Sequence, residues 1–206
     1  MQNQKIDWIT KLTFTLWIAG SFTSSLAALP QKQSWNLDPT KDEGKVEFVA
    51  IGKPSLLKIH GVGAAPKGNF AIQGSSVSGR VEFALQTLDS GIEMRDKHMK
   101  EKYLELEKFP VATLEIKNLI LPRPAPEGDF AMEGVAFEGP LTLHGLTKPV
   151  KGTAKIARAG GQMLVEAEFG LKITDFAIPI PNFAGIAIAD EVKIHVESKA
   201  SKVASK

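Results

Sequence analysis

At 206 residues the chain has room for one domain with its own core plus an export segment, and too little for two enzyme-sized units. Its 25 Lys and Arg against 23 Asp and Glu leave a net charge of +2, too balanced for the positive field that nucleic-acid binding needs, so no nucleic-acid partner is expected. With no Cys, thiol nucleophiles, disulfides, iron–sulfur clusters and Cys-bearing zinc sites are excluded, and any catalysis must use oxygen or nitrogen groups.

The N-terminus has the layout of a secretory signal over residues 1–27. Lys5 and Lys11 precede the apolar run Leu12 to Ala19, and a small, polar stretch from Gly20 to Ala27 follows. Ser25 and Ala27 suit the −3 and −1 positions of a cleavage site. The apolar run is well short of the roughly 20 residues that span a bilayer, and Thr13 and Thr15 interrupt it, so no stable transmembrane anchor is expected. After a short linker at 28–34, the mature protein is expected in the periplasm or outside the cell. There it must hold together without disulfides, on an apolar core.

From Trp35 onward the hydrophobic period is two. Lys45–Ile51, Leu56–Gly61 and Asn69–Gly74 read as strands, and Arg80–Gln86 places Val81, Phe83 and Leu85 on one face. Met94 to Leu106 breaks the period: Met99, Tyr103 and Leu106 recur at helical spacing, and Pro110 limits this short helix. Alternation resumes with Leu114 and Ile116, continues through Phe130–Leu143 and Val150–Ala157, and returns in Val165, Ala167 and Phe169 and in Val192, Ile194 and Val196. Gly and Pro punctuate the joins, as at Gly52-Lys53-Pro54 and Gly160-Gly161. Ile178 to Phe183, with Pro179 and Pro181, suits an edge or rim loop, and the basic end at 199–206 is expected to fray. About eight or nine short strands in series make a mainly all-β antiparallel fold, a sandwich or a closed barrel.

Four pieces in order carry a family resemblance: Trp35-Asn36-Leu37-Asp38; Met94-Arg95-Asp96-Lys97-His98-Met99 leading through Phe109-Pro110 into a strand; Gly139 to Val150; and Ile188-Ala189-Asp190-Glu191-Val192. Together they resemble the YceI family of exported lipocalin-like proteins, over residues 35–198. The resemblance implies an eight-stranded antiparallel lipocalin-like barrel, with one short helix after about the fourth strand, holding a polyisoprenoid or other long-chain apolar lipid. The chain departs from the commoner family pattern at Pro39 to Gly44, at Leu56 to Gly61 with Pro66-Lys67-Gly68 after it, and at Ile173-Thr174-Asp175-Phe176-Ala177, where many members end in Gly. Such departures mark a subfamily, whose head-group preference differs if those positions touch the ligand.

A barrel of about eight strands is either filled by its own side chains or wide enough for one small ligand, and both show the same alternation. The inward candidates are Val81, Phe83, Leu85, Leu114, Ile116, Leu141, Leu143, Val165 and Phe169; ordinary core is the simpler reading for any one of them. Arg95, Asp96 and His98 at the helix start read first as a structural lock and second as a head-group contact. His60, His98, His144 and His195 are dispersed, so no metal or other cofactor is expected, and His60-Gly61 and His144-Gly145 read as turns. No Gly-x-Ser-x-Gly frames Ser75, Ser76 or Ser78, and Glu105 and Glu107 read as solvated.

The leading expectation is therefore an exported, non-enzymatic carrier or sequestering protein. Its rivals are an enzyme using His98 and Asp96 as acid and base in the same cavity, and a filled barrel that binds partners. Export has a direct test. Amino-terminal sequencing of periplasmic protein should start near Ala28, Leu29 or Pro30, and an intact Met1 there would overturn the signal assignment.

Overall fold

The computed structural model describes residues 31–53, 57–183 and 186–203. The signal assignment at 1–27, the start of the linker and the last three residues of the tail lie outside the described residues. The described residues form eleven strands: β1 (Gln33–Leu37), β2 (Gly44–Lys53), β3 (Lys58–Ala64), β4 (Lys67–Gln73), β5 (Ser76–Ala84), β6 (Val111–Ile120), β7 (Phe130–Leu143), β8 (Leu146–Ala159), β9 (Gln162–Lys172), β10 (Asn182–Phe183) and β11 (Ile186–Lys202). One helix, α1 (Glu93–His98), follows β5.

The register explains how eleven segments make an eight-stranded ring. β11 runs antiparallel to β1 and to β2 in turn, with Asn36 opposite Ser201 and Gly44 opposite Ser198. β1 and β2 are thus one wall strand, interrupted by the loop at 38–43 without reversal of the chain. β3 and β4 form the next wall strand, opposite β2 and β1 respectively, broken at Ala65-Pro66, where Pro has no N–H to give the ladder. Then β5, β6, β7, β8, β9 and β11 follow as nearest neighbours, all antiparallel, and β11 closes on the first wall. β10 is a short hairpin arm on β11.

Local chemistry sets the corners. β7 and β8 join through His144-Gly145, with φ of 50° and 76°, and β8 and β9 through Gly160-Gly161, at 57° and 83°. Positive φ at both central residues gives the turn whose twist matches a hairpin. His60-Gly61, in contrast to the turn expected from sequence, lies in the middle of β3, with His60 outward and Gly61 buried. The loop at 38–43 is tied back by Asp42, whose carboxylate accepts from Ser201 Oγ at 2.8 Å and from Asp38 N at 3.1 Å.

One end of the barrel is packed solid. Trp35, Phe70, Ile72, Val77, Met132, Val135, Ile156 and Met163 interlock there, each 6% exposed or less. The Arg158 guanidinium lies 5.6 Å from the Trp35 ring and donates to Gln33 Oε1 at 3.3 Å, closing this end. The expected fraying from residue 199 is corrected here. β11 continues to Lys202, Ala200 is fully buried in the packed end, and Val203 N donates to Ser34 O. The alternation runs on through Ala200, a residue too small to stand out as apolar between Lys199 and Ser201. Gln33 and Ser34, placed in the linker by sequence, likewise belong to β1.

Because Trp35 fills the centre of the packed end, Trp35→Ala should cost about 3–5 kcal/mol. A urea titration should show this as a lower midpoint at unchanged slope; a shift smaller than about 1 kcal/mol would contradict the placement of Trp35.

Candidate functional site

The opposite half of the ring is hollow. Along β9 the inward residues Met163, Val165 and Ala167 belong to the packed end, whereas Phe169 and Leu171 face open space. β11 makes the same transition from Ala200 to Val196, Ile194 and Val192. The cavity measures about 560 Å³ and its walls are almost wholly apolar. That volume falls within the range of small-molecule sites, roughly 300–1,000 Å³.

Seven of the nine inward candidates line this space: Val81, Phe83, Leu85, Leu114, Leu141, Leu143 and Phe169. Ile116 and Val165 do not. Both point inward but pack against the solid end, Ile116 one inward step beyond Leu114 and Val165 two beyond Phe169. Alternation reports which face a residue takes, not its height in the barrel, and one inward step is about 7 Å. Val46, Phe48 and Ala50 on β2 complete the wall together with Val192, Ile194 and Val196. Their alternation was legible, but not their position on the ring.

Gly61 and Gly63 were the missed signal. A Cβ on Gly61 would fall 2.2 Å from the Phe48 ring, and one on Gly63 would fall 2.6 Å from the Phe83 ring. Two glycines at a spacing of two on an inward face let the tips of both rings press against β3.

The segment between β5 and β6 covers part of the mouth. After α1 the chain widens into a single π turn, Met99–Tyr103, with Leu104 N donating to Met99 O at 2.9 Å. Met99, Tyr103 and Leu104 line the cavity, and Leu106 packs beside them. The expected helix is therefore shorter than Met94–Leu106, and Glu105 ends it at φ 46°.

Arg95 and Asp96 grip Ser90. The Ser90 hydroxyl accepts from Arg95 Nε at 2.7 Å and donates to Asp96 Oδ1 at 2.5 Å; Ser90 N donates to both Asp96 oxygens, and Arg95 Nη2 donates to Ser90 O at 2.6 Å. Burial pushes the Asp96 carboxyl up, but the Ser90 hydroxyl and N–H outweigh it, and the net shift is downward. The cluster thus locks the loop to the helix. Ser90, Arg95 and the exposed His98 also line the mouth, where they form with Tyr103 and Asn182 the polar part of an otherwise apolar wall.

A second clasp joins three rim segments. His144 is hydrogen-bonded through Nδ1 to Phe176 O and through Nε2 to Glu105 Oε2, each at 3.0 Å, with its ring edge-on to Phe109 at 4.7 Å. Glu105 is therefore engaged rather than merely solvated, and Lys108, then His144, hold its carboxyl below the usual range. Thr174 is fixed to the family-like stretch Ile188–Val192, because its N and Oγ1 both donate to Asp190. Ile173 lines the cavity, whereas nothing from Pro39 to Gly44 does. Among the described residues, no three His, Asp or Glu side chains come together as a metal site.

A family model described as a YceI-like domain matches residues 35–200. The chain belongs to the YceI-like family. Two curated relatives, both UPF0312 proteins of Vibrio vulnificus, are 29% identical over 119 residues, 54% of this chain. The match spans 57% of the relatives' length. Among solved structures, BcnA of Burkholderia cenocepacia superposes with a TM-score of 0.62 at 19% identity, covering 80% of this chain and 99% of that one. A polyisoprenoid binding domain from Saccharophagus degradans, implicated in plant cell wall breakdown, gives 0.59 at 16%, with 81% and 97% covered. The Campylobacter jejuni YceI protein gives 0.56 at 15%, with 73% and 88% covered. At these identities the structural likeness establishes the barrel fold.

Asp96→Ala should cost about 1–3 kcal/mol at neutral pH, because it strands the hydroxyl and N–H of Ser90. A carboxyl lowered in the folded state stabilises fully above its unfolded pKa of about 3.9 and loses that contribution as pH falls through the folded value. The gap between wild type and Asp96→Ala, measured by denaturant midpoints, should therefore close on strong acidification. An equal gap at neutral and strongly acidic pH would sink the assignment.

Proposed function

We propose that this chain is an exported, non-enzymatic carrier or sequestering protein that holds a long apolar lipid of polyisoprenoid type in the open end of its barrel. The observation that carries this reading is the cavity itself, apolar through its depth, with its polar groups confined to the mouth. Such a site favours a chain with a small polar end. Each buried methylene contributes about 0.8 kcal/mol, so binding needs few polar contacts. The name of the Saccharophagus degradans relative, a polyisoprenoid binding domain, supports the same ligand class. The residue pattern at 1–27 supports export.

The competing enzymatic reading needs a free acid–base pair. Asp96 is committed to Ser90 and is not among the residues lining the cavity, which leaves His98 without its proposed partner there. A filled barrel is disfavoured by the hollow end.

Mass spectrometry of organic extracts from the purified mature protein should find a long-chain lipid. Leu114→Trp or Phe169→Trp should expel it while lowering stability by no more than the 1–3 kcal/mol typical of overpacking. His98→Gln should retain the same lipid, chemically unchanged. A wild-type protein that neither carries nor takes up an apolar chain would overturn the carrier reading, as would recovery of an altered lipid from wild type and an unaltered one from His98→Gln.

A further inference from the structure

We infer that the packed end of the barrel works as a ruler: it limits how much of a bound isoprenoid chain can be buried, so units beyond those that reach from the mouth to Phe169 add nothing to binding. The inference rests on the carrier reading and adds a limit on the length of chain that is buried.

The cap follows from a floor that can be traced residue by residue. At the base of the cavity Phe169 lies edge-on to Phe137, with centroids 6.0 Å apart and planes at 81°. Phe169 lines the open space, and Phe137 belongs to the solid core beneath it. β8 provides a glycine where the two rings meet: a Cβ on Gly152 would lie 2.9 Å from the Phe137 ring and 2.8 Å from Phe169 Cβ. The aromatic pair therefore reaches in from β7 and β9 with no side chain from the strand between them. Ile116 fills the place beneath Leu114, and Val81 belongs to both the cavity wall and the core. Below this plate, Val135, Met163 and Trp35 are at most 1% exposed, so a chain has no channel through which to continue.

The other end is where the cavity opens. Leu57, Ile92 and Met94 line it and are nevertheless 38%, 53% and 60% exposed, which places them at the mouth. A chain enters there, runs to Phe169 and stops. Further isoprene units would stay outside the mouth in water and add no burial.

The test is a chain-length series. Delipidated full-length mature protein is titrated with prenols of two, three, four, six and eight isoprene units, each read by displacement of a fluorescent apolar probe. Affinity should climb with each added unit, by up to about fourfold per buried methylene, until the chain reaches from the mouth to Phe169, and then level off or fall within the series. Continued tightening to eight units at the same slope would overturn the ruler while leaving the carrier reading intact. Failure of every member to displace the probe would overturn the carrier reading itself. Phe137→Ala should move the break toward longer chains by opening space behind Phe169, and Val165→Ala offers a second opening should the first variant not fold. A break that stays put in a folded variant would show that this plate is not the floor.

Discussion

The girth of an eight-stranded ring governs the rest of the molecule. At that width, large side chains from opposite walls meet at the centre, while small ones leave a gap that a slender guest can occupy. Fold and function then turn on where along each strand the bulk is placed. Trp35, Phe70 and Met163 close one end. At the other, Gly61 and Gly63 let Phe48 and Phe83 press close against β3, so aromatic mass becomes wall instead of filler. One ring thus yields two interiors, a rigid plug and a hollow, without any break in the alternating pattern.

The hollow half lacks the cross-barrel packing that stiffens the plug, and its rim is held by hydrogen bonds between loops. Ser90 ties the approach to α1 onto that helix, and His144 ties the β7–β8 turn to Glu105 and to Phe176. Bonds of this kind open locally at a lower free energy than core strands do. The stability of the molecule and the access to its cavity are therefore assigned to opposite ends, and a rim that loosens need not disturb the plug.

Most of the fold was legible because its signal is local. Strand alternation, the Gly160-Gly161 turn and the helix-like interruption between β5 and β6 are all short-range patterns. Height in the barrel is not local. Ile116 and Leu114 read identically in sequence, and only the shear of the ring decides that one is packed and the other faces space. His60-Gly61 and His144-Gly145 show the same limit. The two dipeptides are identical, yet the first sits mid-strand because β2 pairs along its whole length, while the second turns the chain. Ala200 was passed over because an inward alanine carries little apolar weight, although it is fully buried in the plug. Arg95 and Asp96 stood out in sequence as a pair at the helix start, but the partner they share, Ser90, precedes the helix and belongs to no motif.

The seam between β11 and the first wall strand has a consequence for how the molecule comes into being. Its partners lie at opposite ends of the chain, Trp35 facing Lys202 and Lys45 facing Glu197. Until the final strand emerges, the first wall, β1 and β2, and β9 are bare edges flanking an exposed apolar surface, and every other pairing joins wall strands that follow one another along the chain. Assembly should then be fast along the meander and slow at the last suture, the step that must close a loop of almost the entire domain. A chain without cysteine has no covalent means of holding that suture while it forms. A truncation that removed only the last strand would leave not a weakened barrel but an open sheet with two sticky margins.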